Sequence, residues 1–311
     1  MKRLFILAAA TVALASCAKT QVVYNEEPQE IAFKTVSGVM TKANAEWNAE
    51  SSKMGVFAVL EGENYIDNKA FVKEDSEIYF VGEEQSYYWP FGKTLDFVAY
   101  APHKESVTYD PSTNELTMAI DNSNVGNQTD VLYGGEKLDQ KDKQDGAMDM
   151  LLKHALAKIS INIKSDKDNI VTITSLKVTG TYQKETVTVD YSDSDQPDVQ
   201  WTNTHATTTD MELFNNVEVS TTGSDNYCYV VPAKQTTISI DYTLSGGSPL
   251  NYTETLPSES DWIMGKNYVY NINFGASEIM ITPNVEPWVT DTNNDSTPGD
   301  EKDIPVDQDP S

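Results

Sequence analysis

The chain has 311 residues, 39% of them hydrophobic, which is long for one domain and enough for two that each bury a core. Forty-eight acidic residues against 22 basic ones leave a net charge of −26, and so acidic a surface repels phosphate backbones, which excludes nucleic acid as a partner. Three histidines (His103, His154, His205) and two cysteines (Cys17, Cys228) are too few for a zinc site, an iron–sulfur site or a disulfide framework. No metal and no cofactor is expected.

Lys2 and Arg3 precede an apolar run from Leu4 to Ala13. That run is about half of the ~20 residues a membrane-spanning helix needs, so residues 1–16 read as a secretory signal peptide. It ends in Leu14-Ala15-Ser16-Cys17, which resembles a bacterial lipobox. The resemblance implies that Cys17 is lipidated and becomes the first residue of the mature chain, each buried methylene adding about 0.8 kcal/mol to anchoring. Residues 17–28 then form a tether. Arg3 is the only arginine, so every cation of the mature chain is a lysine.

From residue 29 the sequence reads as strands. Short apolar runs recur between turn signals, and no long stretch carries helical periodicity. Strands are predicted at 30–36, 54–60, 78–81, 86–89, 94–100, 116–120 and 130–133 in the first half. The second half offers 148–152, 158–164, 171–178, 186–189, 227–231, 237–244, 268–274 and 278–289. Ile159, Ile161 and Ile163 alternate with Ser160 and Asn162, and Ile238 and Ile240 with Ser239 and Asp241, the pattern of half-buried antiparallel strands. Segments 134–146 and 192–198 read as surface loops. Two consecutive β-sandwiches, residues 29–150 and 151–289, are the economical architecture. Residues 290–311 are acidic, proline-bearing and almost without apolar side chains, so they read as a disordered tail.

Motifs that carry chemistry are lacking. There is no G-x-S-x-G elbow, no H-E-x-x-H and no Walker or Rossmann glycine pattern, so no enzymatic activity is expected. Asp291, Asn293 and Asp295 have the spacing that opens a calcium loop, but Ser296 and Lys302 stand where its glycine and bidentate glutamate belong. His154 reads as a structural histidine and Cys228 as a small buried hydrophobe. Tyr87, Tyr88, Trp89 and Trp201 are either a stacking platform for glycans or part of a core.

An ordered series of segments resembles the Bacteroidales fimbrillin family, the lipoprotein-derived subunits of type V pili. The series runs Ile31-Ala32-Phe33-Lys34-Thr35-Val36-Ser37-Gly38, Met40-Thr41-Lys42-Ala43, Met54-Gly55-Val56-Phe57-Ala58 and Tyr87-Tyr88-Trp89-Pro90. It continues with Ala99-Tyr100-Ala101-Pro102, Asp130-Val131-Leu132-Tyr133, Lys153-His154-Ala155-Leu156-Ala157-Lys158-Ile159, Gly265-Lys266-Asn267-Tyr268 and Ile279-Met280-Ile281-Thr282-Pro283, reaching Trp288. The resemblance implies two transthyretin-like β-sandwiches in an outer-membrane, lipid-anchored, surface-exposed precursor. It further implies a protease that removes the N-terminal strand, and a donor strand from the next subunit that fills the groove left behind.

Carried onto this chain, the removable strand holds Ile31 and Phe33, and cleavage falls at Lys42, where the family commonly has arginine. An arginine-specific protease finds no site in the mature chain, so either the protease accepts lysine or the subunit stays unprocessed as an anchor or cap. The donor candidate carries Ile279, Ile281, Val285 and Val289 on one face, alternating with Thr282, Asn284 and Glu286. The other reading makes this segment the last edge strand of the second domain, as its prolines favour. The partners implied are other fimbrillin subunits in a fimbrium contributing to adhesion. The alternative is a non-polymerising surface lipoprotein that captures a glycan or host protein.

Overall fold

In the computed structural model the described residues are 28–37, 53–73, 79–124, 128–139, 147–166, 171–182, 184–193, 197–201, 208–232, 237–245, 247–255, 261–275 and 278–288. All twenty regular elements among them are β-strands, as the short alternating apolar runs require.

The first half supplies β1 (Phe33–Ser37), β2 (Met54–Leu60), β3 (Glu63–Lys73), β4 (Tyr79–Gly82), β5 (Thr94–Ala101), β6 (Thr108–Asp110), β7 (Glu115–Asp121), β8 (Leu132–Asp139) and β9 (Met148–His154). Seven of them close into a barrel in the order β1-β4-β3-β2-β5-β8-β9. Strand β1 makes the closure: it runs antiparallel to β4, with Phe33 opposite Phe80, and parallel to β9, from Phe33 opposite Met148 to Ser37 opposite Leu152. Closure removes the free sheet edges that would otherwise invite strand addition. Ile31, Phe33, Met54, Phe71, Phe97 and Met148 share the core inside.

The second half supplies β10 (Ala157–Ser165), β11 (Val171–Tyr182), β12 (Lys184–Asp190), β13 (Asp198–Trp201), β14 (Thr208–Phe214), β15 (Val217–Val219), β16 (Ser224–Val230), β17 (Thr237–Leu244), β18 (Pro249–Thr255), β19 (Lys266–Phe274) and β20 (Ile279–Pro287). One sheet has the order β16-β10-β19-β20; the other is β14-β11-β17-β18, with β15 beside β11. Ile159, Ile161 and Ile163 of β10 bury against Leu176, Ile238 and Ile240, so the predicted alternation sets the inward face. Strand β10 runs parallel to β19 over eight residue pairs. Each half therefore begins with a strand paired in parallel to one that comes late in the same half. Strand β20 then adds antiparallel to β19 along its whole length.

The remaining sheet, β13-β12-β7-β6, draws strands from both halves. Its inner residues Leu116, Met118, Val187 and Val189 share a core with Phe57, Val98 and Tyr100 of the barrel wall. The expected boundary at residue 150 falls within β9, and the β7–β12 ladder joins strands from either side of it. At its end Lys184 meets Asp121 at 2.9 Å. The Ser123 hydroxyl first, and Lys184 second, pull the Asp121 carboxyl down to about 2. A carboxyl lowered on folding stabilises above its unfolded value near 3.9, and that contribution is lost as pH falls through about 2. Lys184→Ala is expected to raise the Asp121 midpoint only part of the way back, because Ser123 remains; a carboxyl-carbon NMR titration reads it.

Two local expectations change. Residues 86–89, expected as a strand, make only an isolated bridge between Tyr88 and Glu30, since Pro90 and the turn at Phe91-Gly92 stop the run. The glycine-bearing segment 134–146, expected as a surface loop, enters β8, which runs to Asp139. Gly134 there serves close approach, not a turn: a Cβ on it would lie 2.0 Å from the Leu151 carbonyl oxygen.

Candidate assembly site

The candidate strand residues fall on two segments, one at each end of the described chain. The first is the stretch from Gln29 through β1. The amide of Ile31 donates to the Tyr87 carbonyl at 2.7 Å, and the amide of Trp89 donates to the Gln29 carbonyl at 2.9 Å. Farther along, the Met148 amide donates to the Ala32 carbonyl at 2.9 Å, and the ladder continues into β9. The segment thus lies between neighbours on both flanks. Ile31 and Phe33 are fully buried, each contributing roughly 1.5–3 kcal/mol by burial. The Phe33 ring sits 5.1 Å from Phe97, edge to face, and 5.6 Å from Phe71, both within the range where aromatic pairs attract beyond area alone.

The second segment is β20. It is an edge strand, with β19 on one flank and no strand on the other among the described residues. The predicted alternation is present in the ladder: Ile279, Ile281 and Val285 stand opposite Phe274, Ile272 and Tyr268, whose side chains are buried. Burial along it is uneven. Ile279 and Ile281 lean on the second core, whereas Val285 is 50% exposed and Met280 on the other face 48%. Pro283 and Pro287 cannot donate to a ladder, which suits an edge.

Just past β20 the chain is tied down. Trp288 is buried, its ring stacked 3.9 Å from His154 at 12° and 5.2 Å from Tyr229 at 13°. Its amide donates to the Gly265 carbonyl at 3.3 Å. His154 Nδ1 sits 2.9 Å from the buried carboxylate of Asp130. His154 closes β9 and Asp130 precedes β8, so this stack joins the barrel to the end of the second half. Sequence reasoning quoted Asp130, His154 and Trp288 but not their meeting, because separations of 24 residues and more leave no local trace.

Cys17, Lys42 and Val289 lie outside the described residues, as do the signal peptide, most of the tether and the acidic tail. The four aromatics weighed as a stacking platform are dispersed. Tyr87 stacks on Phe71 at 5.8 Å, Trp89 is buried edge-on to Phe97, and Trp201 sits on β13 against a different core. Only Tyr88 is largely exposed. Cys228 is fully buried in the core of the second half, and that burial pushes its thiol far up from the usual range, so it is an inert hydrophobe.

Comparison with known proteins places this architecture. The chain is 26% identical over 212 residues to “Putative fimbrium subunit Fim1C” of Bacteroides uniformis, and the match covers 66% of either chain. This chain thus spans just under two thirds of that relative's length. A solved structure described as a “putative cell adhesion protein” from Bacteroides uniformis superposes with a TM-score of 0.61 at 20% identity, covering 84% of this chain and 99% of that one. A fimbrial protein from Bacteroides vulgatus superposes with a TM-score of 0.56 at 16% identity, covering 84% and 100%. At those identities the likeness shows a shared fold. The family model described as fimbrillin-like matches residues 41–288, which is most of the chain; the protein belongs to the fimbrillin-like family.

Proposed function

We propose that the protein is a structural subunit of a cell-surface fimbrium, assembled by exchange of its first strand for a strand of the next subunit. The supporting observation is the placement of β1. It is the first strand of the described chain, it closes the barrel, and its core-facing residues Ile31 and Phe33 are fully buried. Cutting the chain after Lys42 severs this segment covalently while its ladder partners β4 and β9 stay in place. Its departure opens a slot with unpaired N–H and C=O groups on both sides and an apolar floor, a combination that a second strand with alternating apolar residues satisfies. Register in such a slot is set by the period of two.

In this reading the second half, with its two facing sheets, is a transthyretin-like β-sandwich, β20 with Ile279, Ile281, Val285 and Val289 is the donor, and the acylated Cys17 holds the precursor at the outer membrane until it is cut. The exposure of Val285, and a flank of β20 that no described strand covers, favour donation. Lys42→Ala is expected to leave the lipidated precursor full length; normal mature protein and normal fibres in that variant would refute the scheme. The wider test uses protein prepared without its lipid and treated with a lysine-cleaving protease. Loss of the segment ending at Lys42, with a ladder of SDS-resistant multimers on an unboiled gel, supports strand exchange. Clean cleavage that leaves only monomer refutes it.

A further inference from the structure

A cavity of about 220 Å³ opens where the barrel wall meets the sheet shared by both halves. It is separate from β1 and β20. Asp96 of β5 and Lys137 of β8 stand on its rim, paired at 3.2 Å and exposed. Tyr109 of β6 and Tyr191 after β12 give it two buried aromatic rings, and Asn114 and Ser192 complete its polar lining.

The lining is held in place by the fold. The Tyr191 amide donates to the Asn114 carbonyl at 2.9 Å, which ties the chain after β12 to the β6–β7 turn. Asn114 adopts φ of 59°, a left-handed conformation that asparagine tolerates better than most residues. The Tyr109 hydroxyl then donates to Asn114 Oδ1 at 3.3 Å. Gly135 leaves the space that the Tyr191 ring occupies: a Cβ there would lie 2.6 Å from the ring. A glycine, a left-handed turn residue and two tyrosines thus converge on one opening.

We infer that this cavity is a binding site for a single neutral pyranose ring, such as the terminal sugar of a glycan. Its volume falls below the roughly 300–1,000 Å³ of pockets that hold drug-sized ligands, which limits the occupant to one small ring. Tyr109 and Tyr191, both buried in the core beneath the opening, give it an apolar floor against which the weakly positive C–H groups of a sugar ring can lie. The rim supplies a carboxylate acceptor at Asp96, an ammonium donor at Lys137 and an amide at Asn114, the set that a vicinal diol can satisfy in both directions. Charge selects against acidic sugars. Asp110 and Asp190 also act on Tyr109, and with Asp96 they outnumber the single lysine of the lining.

The assay is saturation-transfer NMR on the delipidated full chain with the methyl glycosides of glucose, galactose, fucose and N-acetylglucosamine, with N-acetylneuraminate as the acidic comparison. At least one neutral glycoside is expected to bind in the millimolar range. Its affinity is expected to fall roughly tenfold or more in Asp96→Ala, the loss of about one good polar contact, and to fall also in Lys137→Ala. Both side chains are exposed, so the fold survives their removal, and the melting temperature checks it. The inference is overturned if none of the four glycosides binds, if both variants bind as the parent does, or if N-acetylneuraminate binds as well as the neutral sugars. Multimer formation does not enter the readout, so this result stands apart from that of the strand-exchange test.

Discussion

Phe33→Ala is expected to destabilise the precursor by about 3–5 kcal/mol, the range for deleting a buried aromatic ring. The ring is fully buried between Phe71 and Phe97. Removing it leaves a cavity inside a closed barrel, where β2 and β5 are held by their own ladders and cannot collapse inward. Against a total of roughly 5–15 kcal/mol for a domain, that is a large fraction. In urea the midpoint should drop with little change in slope, since the same surface is exposed on unfolding. Phe33→Leu should lose much less, because most of the volume is kept. A loss under about 1 kcal/mol for the alanine variant would mean that β1 is not held by its buried face. If β1 is the strand that leaves, the same variant should also release it faster after cleavage at Lys42, and multimers should form sooner.

What the sequence made legible follows burial. Strand β10 was readable because its isoleucines alternate with polar residues, and β2 because nearly all of its residues are buried. Strand β3, eleven residues long, went unread: only Ile66 and Phe71 are buried along it, and register shifts in its ladder with β2 break the period. Strand β18 is exposed at almost every position, so its sequence, Pro-Leu-Asn-Tyr-Thr-Glu-Thr, offers only Leu250 and Tyr252 as apolar signal, too short a run to read. Glycine misled in β8 because composition marks a turn and a close backbone approach in the same way. For the candidate assembly site, a strand at 30–36 was readable from its short apolar run, and Ile31 and Phe33 were singled out through the resemblance to fimbrillins. Their parallel partner β9 lies more than a hundred residues away, and a parallel neighbour leaves no hairpin signature between the two. The sugar-sized cavity was invisible for the same reason, since four separate chain segments meet there.

Trp288→Ala is expected to cost a similar 3–5 kcal/mol but to act at the other end of the described chain. Strand β20 is exposed along its second half, and the stack of Trp288 between His154 and Tyr229 holds its end. Truncation removes two ring contacts and opens a void beside the His154–Asp130 pair, which then meets water. Ile279 and Ile281 still pin the start of the strand, so the predicted result is fraying from Pro287 backward rather than loss of the whole sheet. Hydrogen exchange should show it: amides of β20 lose protection by orders of magnitude, while those of β9 facing β1 keep theirs. Trp288→Phe should restore part of the protection through the smaller ring. If β20 is donated, leaving its own sheet requires breaking this stack, and trimmed Trp288→Ala protein should form multimers faster than trimmed parent despite its lower stability. Unchanged exchange in β20 would mean that the β19 ladder alone holds the strand, and that the aromatic stack serves only the joint between the two halves.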